Sequence, residues 1–345
     1  MKATNYIYAS AKIRALEPKI LDETDIERMV DAPDLPSAFK VLNDTDYADN
    51  LLDLRPVDYR IALSRDFQQL FDFFQKVVPE QALFSLIILE RDFVNIRLLF
   101  KQKYFGVDIE EYLKENVTYS PSHLKDFIFE NHNYPPEIIK AYLDEKKGQI
   151  LDQRIKDVIY EVDKRITDKT RPDEIDSMLT QKCFEVALEL AKKIGSAFIT
   201  NYIKLDIDTD NILIWLRAGR LGLSKDRLNE KLLRGGNADI KRMITLFPED
   251  PKALRPFVNA HFDLHVLKGF DEYCEKDTLF EFEKTIRDYQ TRYLQLAKNF
   301  SYGPEVIYAY WHAKRKAINN IRIILTAKMN NIPAEAIKET LRTPY

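Results

Sequence analysis

His261 and His265 lie four residues apart in His-Phe-Asp-Leu-His, the spacing that puts two imidazoles one helical turn apart as in a zinc pair. A metalloprotease built on that pair needs a general-base Glu at the position held here by Phe262, and no third ligand stands nearby. Cys274 is nine residues beyond His265, too far along a helix to close a site. Two ordinary helix histidines are expected. Asp206-Ile207-Asp208-Thr209-Asp210-Asn211 begins like a calcium loop, but Asn211 replaces the turn glycine and Arg217 stands where a bidentate Glu is needed. The same carboxylates suggest the magnesium–diphosphate motif of helical terpenoid enzymes, yet no second metal motif accompanies them. They are expected at the positive N-terminal end of a helix carrying Asn211. Gly235-Gly236-Asn237 has no Gly-Lys-Ser/Thr behind it and reads as a turn, not a nucleotide loop. No Gly-x-Ser-x-Gly occurs and there are only five histidines, so no catalytic set, cofactor site or metal site is expected.

The elements that would position these residues are helices. Phe184, Ala187, Leu188, Ala191, Ile194, Gly195, Phe198 and Ile199 recur at steps of three and four, the stripe of a helix buried on one face. No alternating strand pattern with a hairpin turn is found. Pro56, Pro79, Pro121, Pro135–Pro136, Pro172, Pro251 and Pro304 stand where new stripes begin, where a missing N–H costs nothing. The spacing predicts long helices over 136–167, 172–204 and 304–330, with others over 57–77, 80–104, 252–275 and 277–299.

Composition narrows the function. The chain has 345 residues, a net charge of −3 and only 9 glycines. That length suits two or three domains, and the mild acidity supplies no basic field for nucleic acid or an anionic membrane. Eighteen tyrosines and twenty phenylalanines, without a basic groove, belong in helix packing rather than base stacking. The lone Cys183 and Cys274 fit a reducing compartment. The most apolar window, Ala82 to Leu89, is closed at once by Glu90-Arg91-Asp92, so a buried helix is expected and no membrane span.

One pattern occurs three times. Asn95-Ile-Arg-Leu-Leu-Phe runs to Gly106-Val107, Asn211-Ile-Leu-Ile-Trp-Leu to Gly222-Leu223, and Asn320-Ile-Arg-Ile-Ile-Leu to Asn331-Ile332. The copies are 116 and 109 residues apart, far longer than the periods of common solenoid repeats. Gly106, Gly222 and Asn331 are the residue types that end helices in the left-handed conformation. Asp108, with Glu111 as a capping box, and then Ser224 and Pro333, would restart the chain. Short helices near 26–30, 124–128 and 240–244 precede the copies, giving units 1–120, 121–235 and 236–345. Asn95, Asn211 and Asn320 are expected as buried amides bonded to a crossing helix or loop. Lys101, Lys103, Arg217, Arg220 and Lys328 lie toward the helix C-termini, where cations suit the dipole. If the three breaks face one way, these cations form a ring that a partner could contact.

The opening Tyr6-Ile-Tyr-Ala-Ser-Ala-Lys-Ile-Arg-Ala-Leu-Glu17 resembles the start of the C-subunit family of V/A-type ATPases, whose counterpart in the eukaryotic vacuolar proton pump is the d subunit. Asp44-Thr45-Asp46-Tyr47 and the recurring Asn-Ile helices are similar to that family too. One departure is Lys12-Ile13-Arg14, where many members carry an additional arginine. The resemblance implies an all-helical funnel of three similar units in pseudo-threefold arrangement. It also implies a non-catalytic part on the cytoplasmic side, peripheral to the membrane, joining the central stalk to the proteolipid rotor ring. There it would transmit torque in ATP-linked proton or sodium transport. Two other readings stand beside it: an independent helical adaptor or scaffold, which a short repeat period would mark, and a metal-dependent diphosphate enzyme resting on Asp206–Asp210.

Overall fold

The apolar stripes become helices throughout a computed structural model that describes residues 3–129, 152–341 and 343–345. The fold is all-helical, with no strand among the described residues. The first part of the chain forms α1 (Ile7–Leu16), α2 (Glu23–Asp31), α3 (Leu35–Val41) and α4 (Tyr59–Val77). A long α5 (Gln81–Phe105) and a short α6 (Pro121–Phe129) follow. Next come α7 (Gln153–Asp163), α8 (Pro172–Ile194) and α9 (Ala197–Arg220), then α10 (Lys225–Lys231) and α11 (Ile240–Thr245). The last third holds α12 (Arg255–His261), α13 (Leu264–Lys276), α14 (Leu279–Gln295), α15 (Pro304–Met329) and α16 (Ala334–Thr340). No helix is long and apolar enough to cross a membrane among the described residues.

Three expected helices are shorter than their stripes, each for a local reason. The 172–204 stripe is cut at Gly195, which adopts φ +77°, and Ser196 then accepts the Ile199 N–H at 3.2 Å to start α9. The 252–275 stripe is cut at Asp263, whose carboxylate accepts the Val266 N–H at 2.9 Å and opens α13. Within the 136–167 stripe, Asp152 caps a fresh start by accepting the Arg154 N–H at 3.0 Å. Residues 130–151, with Pro135–Pro136, lie outside the described residues. Asp108 forms no capping box with Glu111; it accepts the Glu110 N–H at 3.4 Å, and only a 3-10 turn, Glu110–Tyr112, follows.

Contacts divide the chain into two compact units. The first comprises Met1–Phe84, Ser196–Tyr202 and Arg255–Tyr345. Its core joins the two ends of the sequence: Met29, Val30, Phe39, Leu42 and Tyr59 pack with Ile321, Ile324 and Leu325 of α15. Trp311 of α15 meets Phe67 and Phe74 of α4 edge-on, with centroids 5.6 and 5.2 Å apart. At the end of α14, Arg14 donates to the carbonyls of Ala297 and Phe300 at 2.9 and 2.6 Å, satisfying groups that a helix terminus leaves open.

The second unit comprises Ser85–Gly195 and Ile203–Leu254. In it α8 buries Ile175, Leu179, Val186, Leu190 and Ala191 along one stripe. Its first turns carry charge on both sides. Arg97 and Lys101 of α5 reach Asp176 at 3.3 and 2.9 Å. Arg227 of α10 reaches Glu174 at 2.8 Å, and Lys231 reaches Asp173 at 2.9 Å.

Candidate functional site

The signature asparagines are buried: Asn95 and Asn211 are 0% exposed and Asn320 is 1%. An amide in such a place must be satisfied on both its donor and its acceptor side. Asn95 does this against one residue of the loop after α5, accepting the Lys114 N–H at 2.7 Å and donating to the Lys114 carbonyl at 2.9 Å. Asn211 repeats the arrangement after α9, accepting the Leu233 N–H at 2.7 Å and donating to the Leu233 carbonyl at 2.8 Å. Each amide pairs with a loop backbone as a neighbouring strand would.

One turn earlier on the same helix face stands a carboxylate in both copies. Asp92 accepts the N–H groups of Thr118 and Tyr119 at 2.8 and 3.3 Å. Asp208 accepts those of Asn237 and Ala238 at 2.9 and 3.0 Å. The repeated Asp-x-x-Asn was the signal for this second anchor, and it is broken in the third copy, where Ala317 holds the place. Burial pushes the Asp92 carboxyl up to about 7, against the pull of its two N–H donors.

The Asp208 contact explains the glycine pair. The loop lies so close that a Cβ on Gly236 would sit 2.1 Å from the Asp208 Oδ1, and Gly235 holds φ +103°. The carboxylates of Asp206, Asp208 and Asp210 lie in the middle of α9 rather than at a helix start. Alternate residues of a helix point to different sides, and no group of three or more metal-ligating side chains occurs among the described residues. His261 ends α12 and His265 belongs to α13, so the two imidazoles do not share one helix. Burial pushes the Cys183 thiol far up, the opposite of an activated nucleophile.

The three helix stops share one backbone conformation: φ is +65° at Gly106, +62° at Gly222 and +56° at Asn331. In the second and third copies the closing bonds match pairwise. Leu223 N–H meets the Ala218 carbonyl, and Ile332 N–H meets the Ala327 carbonyl, both at 3.0 Å. Gly106 closes with the single bond from its N–H to the Gln102 carbonyl at 3.0 Å.

The cations toward these stops hold neighbouring groups. Lys101 pairs with Asp176, and Lys103 pairs with Asp163 at 2.8 Å while donating to the Ile128 carbonyl at 2.9 Å. Lys328 is buried and donates to the Ala32 carbonyl at 2.6 Å. Arg217 and Arg220 are exposed. Ile128 and Ala32 lie at the C-terminal ends of α6 and α2, so Lys103 and Lys328, each eight residues after its Asn, cap equivalent short helices. At the third short helix, Lys225 donates to the Thr245 carbonyl at 3.1 Å, and Trp215 donates to the Met243 carbonyl at 2.9 Å. The long helix α5 therefore holds α6, α9 holds α11 through Trp215 with α10 adding Lys225, and α15 holds α2 from the N-terminal segment. These residues anchor backbone; they form no nucleophile–base pair.

A model of the ATP synthase (C/AC39) subunit family matches residues 9–340. The A-type ATP synthase C subunit of Pyrococcus furiosus is 23% identical to this chain, covering 98% of it and 90% of the relative. Its counterpart from a Desulfurococcus species is 25% identical, covering 98% and 91%. The V-type sodium ATPase C subunit of Enterococcus hirae is 22% identical, covering 96% and 97%. With almost every position inside the family match, the chain belongs to the ATP synthase (C/AC39) subunit family.

Proposed function

We propose that the chain is the non-catalytic part that couples the central stalk of a V/A-type rotary ATPase to its proteolipid rotor ring. The observation that carries this reading is the family match from residue 9 to residue 340. Three similar helical units, 1–120, 121–235 and 236–345, would form a funnel of pseudo-threefold symmetry on the cytoplasmic side of the membrane. The clamps support a torque-bearing role. A part that passes rotation onward must resist shear, and loops bonded to helices through buried amides and carboxylates yield less than solvated ones.

The decisive test removes the chain from an otherwise complete rotary complex. ATP hydrolysis is expected to continue while ATP-driven proton or sodium uptake is lost, and adding the purified chain should restore uptake. Unimpaired uptake without the chain would sink the proposal. The five cations divide in the same experiment. Gln at the exposed Arg217 and Arg220 is expected to weaken assembly, by less as salt rises and screens the contact, whereas Gln at Lys101, Lys103 or Lys328 acts first on the fold. Unchanged assembly and salt dependence in the Arg217→Gln/Arg220→Gln variant would place the joint elsewhere.

A further inference from the structure

The helix α1 buries Ala9, Ser10 and Ile13, with Tyr6 just ahead of it, and turns Ile7, Tyr8, Ala11 and Lys12 outward. Its flank is lined by the segment that leaves α14. Ser10 Oγ accepts the Gly303 N–H at 3.1 Å, and Arg14 holds the Ala297 and Phe300 carbonyls, so this segment runs antiparallel to α1. The segment is itself apolar and open: Leu296 is 50% exposed, Phe300 38% and Tyr302 44%, beside Ile7 at 48% and Tyr8 at 62%. Large apolar side chains exposed singly need no explanation; here five stand on two segments that are hydrogen-bonded to each other.

The charged residues within these two segments have one sign. Residues 5–16 and 295–304 contain Lys12, Arg14 and Lys298 and no Asp or Glu, although the whole chain has more acids than bases. Neighbouring carboxylates are held: Glu17 by Arg14 at 2.7 Å, Glu80 by the Tyr6 hydroxyl at 2.5 Å and Glu305 by the Ser196 hydroxyl at 2.6 Å. Lys12 rests over the Tyr8 ring, 5.0 Å from its centroid, and Lys298 over Tyr345 at 4.7 Å. Stacking on the rings keeps both ammonium groups beside the apolar surface, where they remain available to an anion.

We propose that this face of α1 and residues 296–302 docks an amphipathic helix of a partner protein whose apolar stripe is flanked by carboxylates. Apolar side chains of the partner would cover Ile7, Tyr8 and Tyr302, and its acids would meet Lys12 and Lys298. A protein helix is favoured over a membrane surface because only two cations border the aromatic side chains, too few for stable attachment to anionic lipid. Tyrosine, here Tyr8 and Tyr302, is also among the residue types enriched at protein–protein hot spots.

The isolated full chain tests this with two synthetic helical peptides that share a leucine stripe, one flanked by glutamates and the other by lysines. The glutamate peptide is expected to bind about tenfold more tightly than the lysine peptide, with the gap closing as salt rises. Lys12→Glu with Lys298→Glu should reverse that preference, and Tyr8→Ser with Ile7→Ser should weaken both peptides alike. All four positions are exposed, and unchanged thermal unfolding of the variants verifies that the fold is intact. Equal binding of the two peptides, no binding of either, or a preference that survives the Lys→Glu changes overturns the proposal. Binding to phosphatidylglycerol vesicles but not to the peptides would assign the face to lipid and overturn it as well. Neither peptide belongs to a rotor, so the result is independent of whether the chain joins one.

Discussion

Asn211 gives both sides of its amide to Leu233, in a place that water does not reach. Asn211→Ala leaves a buried N–H and a buried carbonyl unpaired and is expected to cost about 1–3 kcal/mol in chemical denaturation. Asn211→Asp keeps the acceptor but sets a carboxylate oxygen against the Leu233 carbonyl, so its defect should shrink at low pH, where the acid can donate. Asp92 supplies a pH signature of its own. Its folded value of about 7 lies above the ordinary 3.8, so the native state holds a proton that the unfolded chain has already released. Its contribution to stability is full below 3.8, declines as pH rises and is lost above about 7; Asp92→Asn should flatten that slope. Asp173 works the other way, held down at about 2 chiefly by Arg171 and then Lys231, so its contribution is present above 3.8 and is lost as pH falls. The amide role of Asn95 and Asn211 is legible in the sequence because they recur in buried stripes. The matching role of Asp92 is harder to read, since its Asp-x-x-Asn spacing recurs in two copies and not the third, and a carboxylate after an apolar run also reads as the end of that run. Its partners, 26 and 27 residues away, are fixed only by the path of the loop.

At the scale of elements, the helix stops carry the clearest sequence signal, because few residue types accept positive φ. Gly222→Ala is expected to lower stability by about 1 kcal/mol, the cost of a Cβ in the left-handed region. Asn331→Gly should be neutral or raise stability by a few tenths of a kcal/mol, since Asn tolerates that region less well than Gly. Differential scanning calorimetry of the two variants checks both signs. Gly236→Ala should be worse than Gly222→Ala, because its Cβ meets Asp208, whereas nothing lies within 4 Å of one at Gly222. The breaks at Gly195 and Asp263 are hard to read from periodicity, since both fall inside stripes that continue in phase. A capping Ser or Asp in mid-stripe looks the same as a solvated one until its side chain is seen on the next turn's N–H. That ambiguity also makes His261 and His265 look like a pair.

At the scale of the whole molecule, the third copy differs from the other two in where its short helix comes from. Lys328 reaches Ala32, Lys338 pairs with Asp31 at 2.9 Å, and the apolar face of α15 is filled by α2 and α3. Deleting residues 1–63 should uncover Ile318, Ile321, Ile324 and Leu325 and turn the protein into aggregate. Supplying residues 1–63 as a separate chain during expression should recover soluble protein, and a soluble monomer without that segment would contradict the packing described. The three-copy pattern is visible in the sequence, but this pairing of the two ends is not, because the signal for a repeat says nothing about which flank completes it. The same arrangement sets an order in time. Ribosomes add about 5–20 residues per second, so Met29, Val30, Phe39 and Leu42 emerge on the order of ten to fifty seconds before Ile321 and Leu325 exist to cover them. During that interval the apolar side chains of α2 and α3 stand without the cover they have in the folded protein, and the later translation of α15 supplies it.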